Sequence, residues 1–368
     1  MAPRLIFHIG YPKTGSSSIQ ASLLGLQNED WSYISMVKNG NDSAPISTAF
    51  KDKPWKKRRH RLANHDRAEV ERLSSQTKEH YAQLILDSNA HSQLISAEDI
   101  SSFQESELLR LRDFVHSLDR QLSVVAYLRP VASWLESAFQ QRLKSRTLDC
   151  LQADSLSSFL ESQLPPYATL ISRLHSVFGQ ANVSLYAFDP KTFPAHDVVV
   201  DFCLRLGIRA NYKTFKRVNE RVSLLSMKVI TLASLYPLSE GGLPDVYRDG
   251  PLAHKRGKIV QSIVSEFSSE PKLLISPSLL DQISQGYSEN YAALSTHIQS
   301  HAPFSLLAPS SMAQDRDDCI TSFDDLCAFT PAERHKITQT LQACGASENN
   351  VCSFDDQLLA VHLCQYLS

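Results

Sequence analysis

Lys13 stands between two glycines, Gly10 and Gly15, and is followed by Thr14 and by three consecutive serines, Ser16, Ser17 and Ser18. Residues of these types at this spacing hold an anion. The glycines let backbone N–H groups converge, the hydroxyls donate, and the lysine supplies charge. The phosphate loop of nucleotide-hydrolysing enzymes reads G-x-x-x-x-G-K-[ST]. Here the glycine spacing is kept, but Ser16 occupies the lysine position and Lys13 sits on the crown of the loop instead. The expected ligand is therefore a phosphate, met by a lysine placed differently from that of an ATPase or kinase. The plainer alternative is a strand–turn–helix with a solvated lysine.

A second polar group lies further on. The apolar run from Leu122 to Leu128 ends at Arg129, and Pro130 opens a helix, where its missing N–H costs nothing. On that helix Ser133, Ser137 and Gln141 fall four apart on one stripe, while Leu135 and Phe139 pair on another face. Arg129 at the strand tip and Ser137 two turns into the helix can then point at one bound group.

These residues need a scaffold to hold them. Leu5 to Ile9 reads as a buried strand, and Ile19, Leu23 and Leu26 follow at helical spacing. Helical periods over 66–88, 105–119 and 198–206 alternate with apolar strands at 93–96, 122–128 and 183–188, and Gly207 stops the last helix. Two short helices broken at Pro165-Pro166 are expected over 155–178. Alternation of this kind predicts an α/β, P-loop-like three-layer fold: a central parallel sheet flanked by helices, with a helical C-terminal extension. The expected division is a domain over 1–300 and the extension over 301–368; within the first, a turn-rich stretch from Pro237 to Pro251 separates the sheet from more helices up to about 300. The tail carries a four-residue echo, Ser322-Phe323-Asp324-Asp325 and Ser353-Phe354-Asp355-Asp356, too short for a repeat.

Residues 29–65 show no clear period. They include Lys51, Lys53, Lys56, Lys57, Arg58, Arg59, His60 and Arg61, with Trp55 among them. A solvated basic loop is the plain reading. The sharper one is a docking surface for an acidic or sugar substrate, with Trp55 as a stacking platform.

The apolar share of 42% suits a globular chain, and a net charge of −2 gives no global attraction to nucleic acid or to a membrane surface. No run of about 18 apolar residues suggests a membrane span. Met1-Ala2-Pro3-Arg4 leads straight into the first strand, so no signal peptide and a cytoplasmic location are expected. Seven cysteines without C-x-x-C or zinc-like spacing read as free thiols, and no metal site is expected.

With Lys13 in the first loop and Arg129 with Ser137 after a later strand, the chain resembles the sulfotransferases that use 3′-phosphoadenylyl sulfate (PAPS). Pro12 to Ser17 matches that family's 5′-phosphate loop, and Arg129 with Ser137 matches its 3′-phosphate element. Asp201 to Gly207 and Arg217-Val218-Asn219-Glu220 look like later segments of bacterial members, and the resemblance runs from about residue 4 to 235. It implies PAPS as co-substrate, held by Lys13, Thr14, Gly15, Ser16, Ser17, Ser18, Arg129 and Ser137, with Arg217 as a further candidate. It also implies direct in-line sulfuryl transfer to a hydroxyl acceptor, without metal. In heparan-type members a glutamate after the corresponding strand is the base, which points here to Glu98. Asp99 could take that part instead, and a surface carboxylate capping the next turn is the plain alternative. His91, at the far end of the strand, is a poor candidate. The glutamate and the basic segment favour a carbohydrate or glycoconjugate acceptor. The rival readings are a P-loop kinase, which would need the lysine that Ser16 replaces, and an inactive protein that binds the desulfated product, 3′-phosphoadenosine 5′-phosphate (PAP), or a partner.

Overall fold

A computed structural model describes residues 3–211, 214–216, 222–236, 238–243, 250–307, 319–346 and 354–367. The chain forms two interleaved units. The first comprises Met1–Pro130, Pro166–Asn219 and Ser288–Leu306, and the second Val131–Pro165, Glu220–Tyr287 and Leu307–Ser368.

In chain order the first unit begins with β1 (Arg4–His8), α1 (Ser16–Leu23), β2 (Trp31–Tyr33), α2 (Ser43–Phe50), α3 (Arg58–Leu62) and α4 (Arg67–Asp87). It continues with β3 (Ser92–Ser96), α5 (Glu105–Ser117) and β4 (Gln121–Leu128). After α6 (Val131–Leu151) and α7 (Leu156–Ser162), which belong to the second unit, come α8 (Tyr167–Phe178), β5 (Val183–Ala187) and α9 (Val198–Leu206). The five strands form one all-parallel sheet in the order β2-β3-β1-β4-β5.

Both faces of the sheet are covered, which is why its central strands read as continuous apolar runs rather than alternating ones. On one face Ile6, Leu94, Val125 and Tyr127 pack with Ile19 and Leu23 of α1 and with Val199 and Phe202 of α9. Their strand neighbours Leu5, Phe7, Ile95, Val124 and Ala126 are equally buried, and by the two-residue period of a strand they turn to the opposite face. Helices α5 and α8 contact β4 and each other. Asp201 of α9 is wholly buried, accepting hydrogen bonds from Tyr127 and, at 2.7 Å, from Arg205, with His301 also on it. This carboxylate fastens α9 to the sheet.

The stretch 29–65, expected to lack regular structure, contains β2, α2, a 3₁₀ turn at Pro54–Lys56 and α3. None of these exceeds eight residues, too short to show a period in sequence, and polar contacts to distant residues hold them in place.

The second unit is mainly helical. It contains α6, α7, α10 (Leu224–Leu235), α11 (Gly250–Glu266), α12 (Pro277–Gly286), a helix at Pro331–Ala343 and a final helix at Asp356–Tyr366, plus a parallel two-strand pair, Leu274–Ile275 with Cys319–Ile320. The two phenylalanines of the tail's echo do different work. Phe323 packs on Phe139 and Phe159, at 6.3 and 6.2 Å between ring centroids, whereas Phe354 stacks on His362 at 4.5 Å. Most of the turn-rich stretch 237–251 lies outside the described residues. Among the described residues no helix is long and apolar enough to cross a membrane, and the described cysteines are free thiols.

Candidate active site

Strand β1 has β3 on one side and β4 on the other, so the segments after all three strands open at one edge of the sheet. Open parallel sheets bind ligands at that carboxyl edge. The loop after β1 carries Lys13, the residues after β3 are Ala97-Glu98-Asp99, and Arg129 follows β4.

The loop turns through left-handed backbone at Gly10 (φ 21°), Lys13 (φ 71°) and Gly15 (φ 78°). At Gly10 a side chain would lie 2.5 Å from Ser16 Oγ, and at Gly15 one would lie 2.7 Å from Val198 at the start of α9. Only glycine fits either place. Lys13 has no such exemption, and holding a lysine in this conformation costs about 1–2 kcal/mol. Strain of this kind survives where the surroundings impose it, most often at functional sites. Thr14 is wholly buried and donates to the Tyr11 carbonyl at 2.5 Å, so its hydroxyl shapes the loop from within.

Helix α1 starts at Ser16 with Gly15 as its N-cap, so no side chain caps its first amides. Those amides and the dipole behind them favour an anion. Ser16 Oγ is buried with no hydrogen-bond partner completed inside the protein. Ser17 is half-buried and Ser18 buried.

Beneath the loop is a network the sequence reading passed over. His8 Nδ1 meets Ser96 Oγ at 2.9 Å, and Gln20 Nε2 donates to the same oxygen at 3.0 Å. One hydroxyl thus ties the ends of β1 and β3 to α1. Burial lowers the His8 imidazole to about 3, so it stays neutral at physiological pH, and its Nε2 is a second buried polar atom without a partner. A histidine closing an apolar strand just before the first loop glycine was the available signal.

Glu98 and Asp99 open a 3₁₀ turn, Glu98–Ser102, and their environments differ. Burial raises the Glu98 carboxyl above its ordinary value; the Lys13 charge pulls it down, Asp99 adds to the rise, and the nearby Ser16 hydroxyl opposes it. Glu98 is thus electrostatically linked to both the lysine and the first helical serine of the loop. Asp99 is committed elsewhere. Its Oδ2 accepts from Ser47 Oγ at 2.6 Å and Lys57 Nζ at 2.8 Å. Burial alone would raise its carboxyl, but those two hydrogen bonds and the charges of Lys57 and Lys51 hold it below the ordinary value.

Arg129 is brought to the loop itself. Its Nη1 donates to the Lys13 carbonyl at 3.2 Å and its guanidinium lies 5.4 Å from the Phe188 ring centroid. Its backbone carbonyl accepts from the Tyr167 hydroxyl at 3.0 Å, which in turn accepts from the Arg129 N–H at 3.3 Å. Ser137 is half-buried on α6 of the second unit, with Leu135 and Phe139 buried beside it in sequence as expected. Arg217 lies outside the described residues. Among the described residues no group of three or more His, Cys, Asp or Glu side chains is arranged to hold a metal ion.

No family model matches the chain. A stretch of 115 residues is 29% identical to an uncharacterized protein of Archaeoglobus fulgidus, covering 31% of this chain and 30% of that relative's length. Among solved structures, the chain is similar to a sulfotransferase from Alicyclobacillus acidocaldarius, with a TM-score of 0.35 and 16% identity over 69% of this chain and 97% of that one. It is also similar to a sulfotransferase domain from the curacin biosynthetic pathway, with a TM-score of 0.35 and 11% identity over 58% and 77%.

Proposed function

We propose that this protein is a sulfotransferase that moves a sulfuryl group from PAPS to a hydroxyl acceptor, a carbohydrate or glycoconjugate, by direct in-line displacement. The observation that supports this reading is that Lys13, in the loop after β1, and Glu98, directly after the neighbouring parallel strand β3, lie at one edge of the sheet, with the Lys13 charge bearing on the Glu98 carboxyl. That edge would offer a transferred group a cation and a base.

The loop's residues fit a phosphate-bearing donor on their own chemistry. The uncapped amides of α1 and the Lys13 ammonium are donors only, the Ser16 hydroxyl can donate as well, and all three suit an anion. Lys13, Thr14, Gly15, Ser16, Ser17 and Ser18 would hold the 5′ side of the donor, and Arg129 with Ser137 its 3′-phosphate, with Arg217 as a further candidate. When bound, the donor supplies an activated sulfuryl group and a leaving group that departs as an anion.

Lys13 acts where negative charge grows as the sulfur–oxygen bond breaks, so its contribution is largest in the transition state. Glu98 takes the proton of the acceptor hydroxyl onto its carboxylate. Its raised carboxyl makes it a stronger base than an ordinary glutamate. Asp99, bound to Lys57 and Ser47, positions the strand end instead of exchanging protons. The reaction needs positioning and charge stabilisation more than covalent chemistry, as phosphoryl transfer does.

Calorimetric titration with PAP and with Mg²⁺-ATP, followed by acceptor pools with labelled PAPS, tests the proposal. Tight PAP binding and label transfer are expected. Binding of Mg²⁺-ATP in preference to PAP would favour a kinase.

A further inference from the structure

Strand β1 ends in a histidine that no step of the proposed reaction uses. His8 is wholly buried, its ring lies edge-on to Phe202 at 5.1 Å between centroids, and burial lowers the imidazole to about 3. It is therefore neutral at physiological pH and carries one ring proton. The hydrogen bonds assign that proton. Ser96 Oγ accepts from Gln20 Nε2 at 3.0 Å and has a single hydrogen of its own, which it gives to His8 Nδ1 at 2.9 Å. Nδ1 is thus the acceptor, and Nε2 bears the N–H.

Among the described residues that N–H finds no acceptor, and the Ser16 hydroxyl finds no partner either. The two orphans flank one place. A side chain at Gly10 would put its Cβ 2.5 Å from Ser16 Oγ and 3.2 Å from His8 Cε1, the ring carbon bonded to Nε2. The hydroxyl comes from the first turn of α1 and the imidazole from the last residue of β1, and both lie against Gly10. Buried polar atoms without partners are rare, because each costs the fold its lost hydration. Two of them beside the same loop glycine are complementary. A serine oxygen has one hydrogen to give and lone pairs to fill. Once the hydrogen goes to an anion, an N–H donor behind the oxygen is what the lone pairs need.

We propose that His8 is a positioning residue for the donor loop: its Nε2–H donates to Ser16 Oγ while the Ser16 hydroxyl donates to an anion held at the start of α1. The hydrogens then run in one direction, from Gln20 to Ser96, from Ser96 to His8, from His8 to Ser16 and from Ser16 to the anion. The first two links stand in the structure, and their direction fixes that of the third. A chain of hydrogen bonds aligned in this way polarises each of its members, so the last hydroxyl becomes a better donor than an isolated serine. The sulfotransferase reading enters only in taking the anion to be a phosphate of PAPS or PAP.

Two substitutions separate the two ring nitrogens. The amide of His8→Asn can stand in for Nδ1 but stops short of Nε2, whereas the longer His8→Gln reaches the Nε2 position with an N–H. PAP and inorganic phosphate are titrated into the full chain and its variants by calorimetry. His8→Asn should weaken PAP about five- to tenfold, and His8→Gln should stay within about threefold of wild type. Ser16→Ala should weaken PAP about ten- to a hundredfold. Adding His8→Asn to it should cost less than about twofold more, because the N–H then has no oxygen to serve. The ring itself gives a readout that needs no His8 variant to fold. In wild-type protein labelled with ¹⁵N-histidine, the signal of an Nε2–H ring that stays neutral down to about pH 5 should shift on adding PAP. Ser16→Ala should abolish that shift. If His8→Gln binds PAP no better than His8→Asn, His8 is only a tie between β1 and Ser96 and the proposal is overturned. Additive losses in the double variant, or a ring signal that PAP leaves in place, overturn it too. Should phosphate bind and PAP not, the sulfotransferase reading falls and the same comparisons are scored with phosphate. Binding of neither overturns both.

Discussion

Two buried polar regions of this protein are built in opposite ways. In the second unit Arg256 is wholly buried, yet its donors are met. Nε reaches the Lys144 carbonyl at 3.0 Å, Nη2 reaches Thr147 Oγ1 at 2.9 Å and the Leu143 carbonyl at 3.3 Å, and Nη1 reaches Ser234 Oγ at 3.1 Å. At the carboxyl edge of the sheet in the first unit, Ser16 Oγ and His8 Nε2 are just as deep and have no partner. Next to them Lys13 holds a backbone angle that most residues avoid. A buried polar group that is satisfied internally specifies structure. One left unsatisfied, beside strained backbone, is a place where the fold keeps a cost that a ligand can offset.

The contrast can be broken by substitution. The largest effect is expected at Glu98: Glu98→Gln should lower kcat by about 10²–10⁴ with PAP affinity near wild type. Wild-type kcat/KM should fall as pH drops through the Glu98 ionisation, at a pH above that of an ordinary glutamate because burial raises the carboxyl. That acidic limb should vanish in the variant. Asp99→Asn should keep substantial activity, and a dead Asp99→Asn beside an active Glu98→Gln would reverse the two roles.

Lys13→Ala should follow, with a loss of about 10²–10³ in turnover and a smaller loss in PAP binding. Near wild-type turnover would reduce the lysine to a loop ornament and leave its backbone strain unexplained. Arg256→Met should act on the other side of the contrast. It leaves Thr147, Ser234 and the α6 carbonyls short of a donor, so urea denaturation should show about 2–3 kcal/mol of lost stability. Turnover per folded molecule should be unaffected.

The smallest effects sharpen the comparison within one turn. A raised Glu98 carboxyl contributes stability below its unfolded pKa, and that contribution is lost as pH rises through the folded value. At pH 7 its charge is therefore a cost, and Glu98→Gln should raise the Tm. Asp99, held low by Lys57 and Ser47, contributes above its unfolded pKa and loses that only as pH falls through the folded value. Asp99→Asn should lower the Tm at pH 7. Shifts of the same sign in the two variants would show that the neighbours have equivalent environments after all.

The sequence by itself determined the sheet and the loop. Strands buried on both faces must be continuously apolar, so the segments at 5–9, 93–96, 122–128 and 183–188 were legible without any partner in view. Gly10 and Gly15 were legible for a similar reason, since a backbone that turns left-handed favours glycine. The region 29–65 was not legible, because its elements of three to eight residues are held by contacts to residues far along the chain. Only the tertiary structure separated Glu98 from Asp99. In sequence they are adjacent acids with the same claim. In the fold Lys57, 42 positions away, and Ser47, 52 positions away, occupy Asp99, while Glu98 is left to burial and to Lys13. Which of two neighbouring carboxylates keeps its charge cheaply depends on what surrounds each side chain, and no local pattern of residues encodes that.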